Sequence, residues 1–156
     1  MTRKATPKVT ISSSQKALRV PSRKLRALAP FVAKKEGHRL AELDIAVVGP
    51  GEIASLNRRW LARAGTTDVL SFDLSEGGGK GISAQLVICG DAAVAQARAR
   101  GLKPQRELML YVVHGLLHLM GYEDSSIRGA AKMDAREEAL LAEFLAAPAR
   151  RPRRVF

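Results

Sequence analysis

The sequence predicts one α+β domain, a mixed sheet of about four strands packed with about five helices. Three observations predict it. The chain has 156 residues, enough to bury one core and too few for two large domains. Hydrophobic residues make up 46% and charged residues 26%, ordinary globular values that argue against a disordered or fibrous chain. Strand-like patterning lies mostly early in the chain and helical patterning mostly late. No apolar run approaches the ~20 residues of a bilayer span, and the N-terminus lacks the apolar stretch of a signal peptide, so a cytoplasmic protein with no membrane partner is expected. The single cysteine, Cys89, allows no internal disulfide and, within Leu86-Val87-Ile88-Cys89, reads as a small core residue; no disulfide-linked partner is expected.

Residues 1–8 read as a basic flexible arm, 9–147 as the domain and 148–156 as a basic tail. Val9 to Ile11 forms the core of a first strand. Ser22 is placed to cap a helix over about 23–36, with Leu25, Leu28, Phe31 and Val32 on one face and Gly37 at its end; Pro30 predicts a kink or an earlier break. Leu40 to Val48 reads as a strand closed by Gly49-Pro50-Gly51, and a helix follows over about 50–61. Val69 to Phe72 is a short strand. The run from Glu76 to Gly81 is a flexible loop, and without a following Lys-Ser or Lys-Thr its glycines do not make a phosphate loop. Gln85 to Cys89 is another strand, and 91–100 an Ala-rich helix stopped by Gly101. Pro104 suits the first turn of the next helix, with Glu107 near its positive end. From Leu108 to Met120 that helix is apolar nearly all round, the mark of a buried central element. A last helix runs over about 126–145 and ends before Pro148.

The net charge of +11 is uneven. Residues 1–39 hold eleven Lys or Arg against the single acid Glu36, and 150–156 add four Arg, whereas 40–149 hold eleven basic and fourteen acidic residues. Basic ends therefore flank a mildly acidic body. Such ends either attract a polyanion such as RNA or are simply solvated tails. Seven aromatics are available (Trp60, Tyr111, Tyr122 and four Phe), so RNA contact is expected to lean on phosphates more than on base stacking.

Two of the three histidines, His114 and His118, lie four apart on the apolar helix, a spacing that puts both imidazoles on one face within reach of one metal. Gly121 suits a left-handed stop that returns Glu123 or Asp124 toward the same point. Three protein ligands with an open fourth position is a catalytic layout, and the helix is zincin-like in that sense. Gly115, however, stands where a His-Glu-x-x-His peptidase carries its general base, which argues against a peptidase. His38, beside Arg39, lacks such partners and reads as a surface residue.

The run His114-Gly115-Leu116-Leu117-His118-Leu119-Met120-Gly121-Tyr122-Glu123-Asp124 resembles the signature of the YbeY family, bacterial zinc-dependent endoribonucleases that mature ribosomal RNA. Leu56-Asn57 through Thr67-Asp68-Val69-Leu70-Ser71-Phe72 is similar to the family's second hallmark, and the resemblance spans about 41–145. It implies zinc on His114, His118 and Asp124 at the bottom of a basic cleft, action on the 3′ end of 16S rRNA, and contact with the small ribosomal subunit. Asp124 stands where the family usually has a third His. The family's cleft arginine falls on Leu61, leaving Arg58, Arg59 or Arg63 to meet RNA, with Arg63 the favoured substitute beside His114 in catalysis. The family's Gly-Asp before the last strand reads Ala84-Gln85. The expected function is therefore zinc-dependent endonucleolysis of single-stranded RNA, the alternative a ribosome-associated RNA-binding module with structural zinc.

Overall fold

The structure, a computed structural model, describes residues 6–61 and 68–147. Along the chain run β1 (Lys8–Ser13), α1 (Ser22–Lys35), β2 (Leu40–Val48), α2 (Pro50–Leu61), β3 (Val69–Asp73), β4 (Ile82–Cys89), α3 (Gly90–Arg100), α4 (Pro104–Leu119) and α5 (Ile127–Ala146). The strands form one mixed sheet in the order β1-β2-β4-β3. β1, β2 and β4 are parallel, and β3 joins β4 antiparallel as an edge. The expected α+β architecture of four strands and five helices is what forms.

Alternation along the strands sorts their side chains into two faces. On the inner face the register aligns Ile11, Ile45, Leu86 and Ser71 in one row and Ser13, Val47, Ile88 and Val69 in the next. Against these rows pack Leu25, Leu28 and Val32 of α1, Leu108, Val112, Leu116 and Leu117 of α4, and Met133, Leu140 and Leu141 of α5, all buried. The outer face carries a smaller cluster of Val48, Leu70, Val87 and Cys89 closed by Ile53 of α2. Cys89 is a buried core residue, as expected. Burial of α4 follows from its composition: nine of its sixteen residues are inaccessible, so it lies between the sheet and the other helices.

Three local expectations shift. Ser22 is the first helical residue and makes no cap; Pro21 holds the cap position, and Leu25 N–H donates to its carbonyl at 3.0 Å. Pro30 does not end α1, because buried side chains on both sides of it, Leu25 and Leu28 before and Val32 and Ala33 after, fix the helix to the core. β4 begins at Ile82, earlier than Gln85, since Ile82 N–H donates to Arg39 O at 2.7 Å and Ala84 pairs with both Leu43 and Asp73. Pairing of that kind has no signature in local alternation. Glu107, expected near the start of α4, is fully buried against Arg100 at 2.9 Å. Among the described residues, no helix is long and apolar enough to cross a membrane.

Candidate metal centre

Between Val113 and Leu119, α4 interrupts its apolar surface only with the two histidines and Gly115. Gly115 lets the helix approach the sheet: a Cβ there would lie 2.6 Å from Leu86 Cδ2 and 3.2 Å from Ser71 Oγ, and Ser71 Oγ donates to Gly115 O at 3.4 Å. The histidines project from the side of the helix that this contact leaves open. His114 Nε2 and His118 Nε2 stand 3.1 Å apart.

The helix then stops as Gly121 predicted. Gly121 adopts φ +100°, its N–H donates to His118 O at 3.1 Å, and Tyr122 N–H donates to Leu117 O at 3.0 Å, the paired bonds of a left-handed helix end. The reversal carries Asp124 back, so that Asp124 Oδ2 lies 3.4 Å from His118 Nε2 and 3.9 Å from His114 Nε2. Of the two acids the sequence left open, Asp124 is the one that converges. Tyr122 Oη donates to Glu36 Oε2 at 2.9 Å and Arg136 binds the other oxygen of Glu36, tying the returning loop to α1 and α5. Ser126 Oγ accepts from Gly129 N–H at 2.9 Å and caps α5 just beyond.

Among the described residues, His114, His118 and Asp124 are the one group of three that could hold a metal ion, their ligand atoms all within 4.8 Å of one another. The geometry can be tested against zinc. Bonds of about 2.0–2.1 Å to a tetrahedral ion set ligand atoms about 3.3 Å apart. Separations of 3.1, 3.4 and 3.9 Å outline one face of such a tetrahedron with little adjustment. Two imidazole nitrogens and a carboxylate oxygen also match zinc chemically.

A fourth residue, absent from the sequence-level site, completes the arrangement. Glu137 of α5, only 6% exposed, is hydrogen-bonded to His114 Nδ1. A proton held there leaves Nε2 with its lone pair toward Asp124 and His118, the carboxylate-histidine pairing that orients metal-binding imidazoles. A signal existed in the sequence: Glu137 interrupts the apolar stripe of Met133, Leu140 and Leu141 on α5, and a carboxylate at a core position needs a partner. Burial disfavours a charged His114, but the hydrogen bond and charge of Glu137, with Asp124 and Asp134 behind it, prevail and raise its pKa above the ordinary imidazole value. Protonation of His114 thus stabilises the metal-free fold below about pH 6.5, and that contribution fades as pH rises through the raised value. Metal uptake displaces this proton, so affinity is expected to increase with pH over the same window. Glu137→Ala is expected to weaken metal binding about 10- to 100-fold, with Glu137→Gln intermediate, measured by competition against a chromophoric chelator.

The remaining candidate residues divide. Arg58 and Arg59 are exposed on the last turn of α2, Glu123 is exposed outside the cluster, and His38 is on the surface as expected. Arg63 and the side chain of Leu61 lie outside the described residues.

An α+β domain whose buried helix and its returning loop present two histidines and an aspartate, backed by a buried glutamate, defines a protein with one candidate metal centre among its described residues. The family model described as Endoribonuclease YbeY matches residues 10–145. The chain belongs to the YbeY family. An Endoribonuclease YbeY from Anaeromyxobacter sp. is 41% identical over 135 residues, covering 86% of this chain and 70% of that protein. One from Nocardioides sp. is 36% identical over 133 residues, covering 80% of this chain and 89% of that protein. Among solved structures, the solution structure of a Thermotoga maritima protein aligns over 93% of this chain and 97% of its own, at 26% identity and a TM-score of 0.55.

Proposed function

We propose that this protein is a zinc-dependent endoribonuclease that cleaves single-stranded RNA in the maturation of the 16S rRNA 3′ end, working in the cytoplasm in contact with the small ribosomal subunit. The observation that carries the reading is the trio of His114, His118 and Asp124, spaced as one face of a zinc tetrahedron on a chain whose relatives are named endoribonucleases. Asp124 stands 49% exposed, so the trio opens toward solvent, where an RNA strand has access. Zinc bound there supplies a Lewis acid for a phosphoryl oxygen and a water activated near neutral pH.

The chain's own residues supply the rest. Glu137 fixes the His114 tautomer and ring plane, and the Glu36 tether holds Asp124 on its loop. Positive charge has to meet the charge that grows on the phosphoryl oxygens, and Arg58, Arg59 and Arg63, on and just beyond α2, are the candidates for RNA contact. His114, as a ligand, and Arg63, as the stabilising cation, are the residues assigned to catalysis. The basic segments 1–8 and 150–156 add attraction for the backbone at long range.

Leu61, in the slot where the family carries its arginine, keeps a second reading open: an RNA-binding module in which the metal is structural. Cleavage of a labelled single strand, with and without a chelator, separates the two. Leu61→Arg is expected to raise cleavage and Arg63→Ala to lower it, each on the order of 10²-fold for one cation at the transition state. If both leave the rate unchanged, the electrostatic role assigned to this segment is wrong.

A further inference from the structure

The only tryptophan of the chain, Trp60, is 65% exposed. It stands at the mouth of a groove of about 400 Å³ between α2 and the outer face of the sheet, with Leu56 beside it on the helix and Phe72 and Val87 on the sheet. The Trp60 and Phe72 rings meet edge to face, their centroids 6.5 Å apart and their planes at 75°. Phe72 occupies the outer face of β3, while its neighbour Ser71 occupies the inner face and touches Gly115 on the metal helix. β3 is the edge of the sheet, paired only with β4, so one edge strand separates the aromatic groove from the helix that carries His114 and His118.

Two features identify the occupant. Arg58 and Arg59 immediately precede Trp60 and are exposed on the same last turn of α2. Cations beside exposed aromatic faces suit a polyanion whose units carry flat rings. Within the groove the polar groups are Glu52, one oxygen of which accepts from Ser14 Oγ at 2.7 Å, and Gln85, whose amide nitrogen donates to Asp44 Oδ2 at 3.0 Å; the other Glu52 oxygen and Gln85 Oε1 can accept from amino and imino edges of a base, while the carboxylate keeps phosphates outside, on the arginine side.

We propose that this groove is a base-stacking subsite, in which Trp60 and Phe72 receive one or two unpaired nucleobases of an RNA strand that passes around β3 to the metal centre. It rests on the endoribonuclease reading and adds to it where RNA is gripped. Stacking of this kind is sequence-tolerant, so the subsite selects single strands over duplexes without reading a sequence.

The test uses the full-length, zinc-loaded protein and a short 2′-O-methyl single strand whose intactness is read on a gel after each measurement, beside a strand of the same length with abasic sites. The base-bearing strand is expected to quench the fluorescence of Trp60, and the abasic strand to leave it unchanged. In Trp60→Leu, which keeps an apolar and exposed side chain, affinity for the base-bearing strand by anisotropy is expected to fall about five- to a hundredfold, and affinity for the abasic strand to stay constant. Phe72→Leu gives the same contrast from the sheet side. Equal affinity of wild type and Trp60→Leu for the base-bearing strand overturns the subsite, and continued chelator-sensitive cleavage by wild type would then leave the endoribonuclease reading intact. Absence of any RNA binding or cleavage overturns both. A fluorescence change that follows protein concentration without RNA also overturns the subsite, since a second copy would then cover the groove.

Discussion

His118→Ala is expected to lose bound zinc and RNA cleavage together, the latter by on the order of 10³-fold or more, the scale of several kcal/mol of transition-state stabilisation. Its Nε2 lies 3.1 Å from His114 and 3.4 Å from Asp124, so its removal leaves two ligands on one edge and an open angle that water has to fill. Two side-chain ligands do not make a zinc site of ordinary affinity. Half of the test is that the fold survives. His118 is one-third exposed at the end of α4, so the far-ultraviolet dichroism of the variant should match wild type. Elemental analysis then reads the metal and a labelled strand reads cleavage. Asp124→His is the companion: an imidazole in place of the carboxylate restores the ligand set usual for the family and should keep or tighten zinc. Wild-type zinc content in His118→Ala would exclude this trio as the site, and zinc loss with cleavage retained would exclude the metal from the reaction.

Much of this was legible in the sequence, for identifiable reasons. The pair at 114 and 118 stands out because the rest of its helix is apolar, and Gly121 announces the reversal because a left-handed residue is what the turn after Leu119 requires. Strands β2 and β3 were readable because each is bounded by turn or loop residues. What escaped was set by partners distant along the chain. Glu137 gains its meaning only when α5 crosses α4 and brings its carboxylate to His114, 23 residues away. The Glu36 contacts with Tyr122 and Arg136 span 86 and 100 residues and leave no local pattern. The first residues of β4 are strand because Arg39, Leu43 and Asp73 pair with them, and the exposure of Trp60 depends on which face of the sheet α2 covers. Local periodicity encodes which residues are apolar, and not which surfaces meet.

Gly115 yields the second large effect, because the same position separates this site from a metallopeptidase. Gly115→Glu is expected to destabilise the fold by about 3 kcal/mol or more, and to lower the melting temperature by roughly 10 °C. The first added carbon already falls 2.6 Å from Leu86 Cδ2 and 3.2 Å from Ser71 Oγ. Leu86 is fully buried between β2 and β3 neighbours and has no room to withdraw, and the carboxylate that follows would enter that apolar layer without a cation among the contacting groups. Gly115→Ala measures the steric part alone. A helix interior gains about 1 kcal/mol from alanine over glycine, while overpacking costs about 1–3 kcal/mol, so a loss between none and about 2 kcal/mol is expected from denaturant titration. The difference between the two variants measures the cost of the longer side chain and its carboxylate together. A general base at this position of the helix would therefore have to displace the sheet before it could serve the metal, which is a packing reason, independent of any missing residue, for the chemistry here to act on something other than a peptide bond. A Gly115→Glu protein with wild-type melting and new, chelator-sensitive hydrolysis of casein would show that the side chain at 115 faces the metal instead, and the packing account would fall.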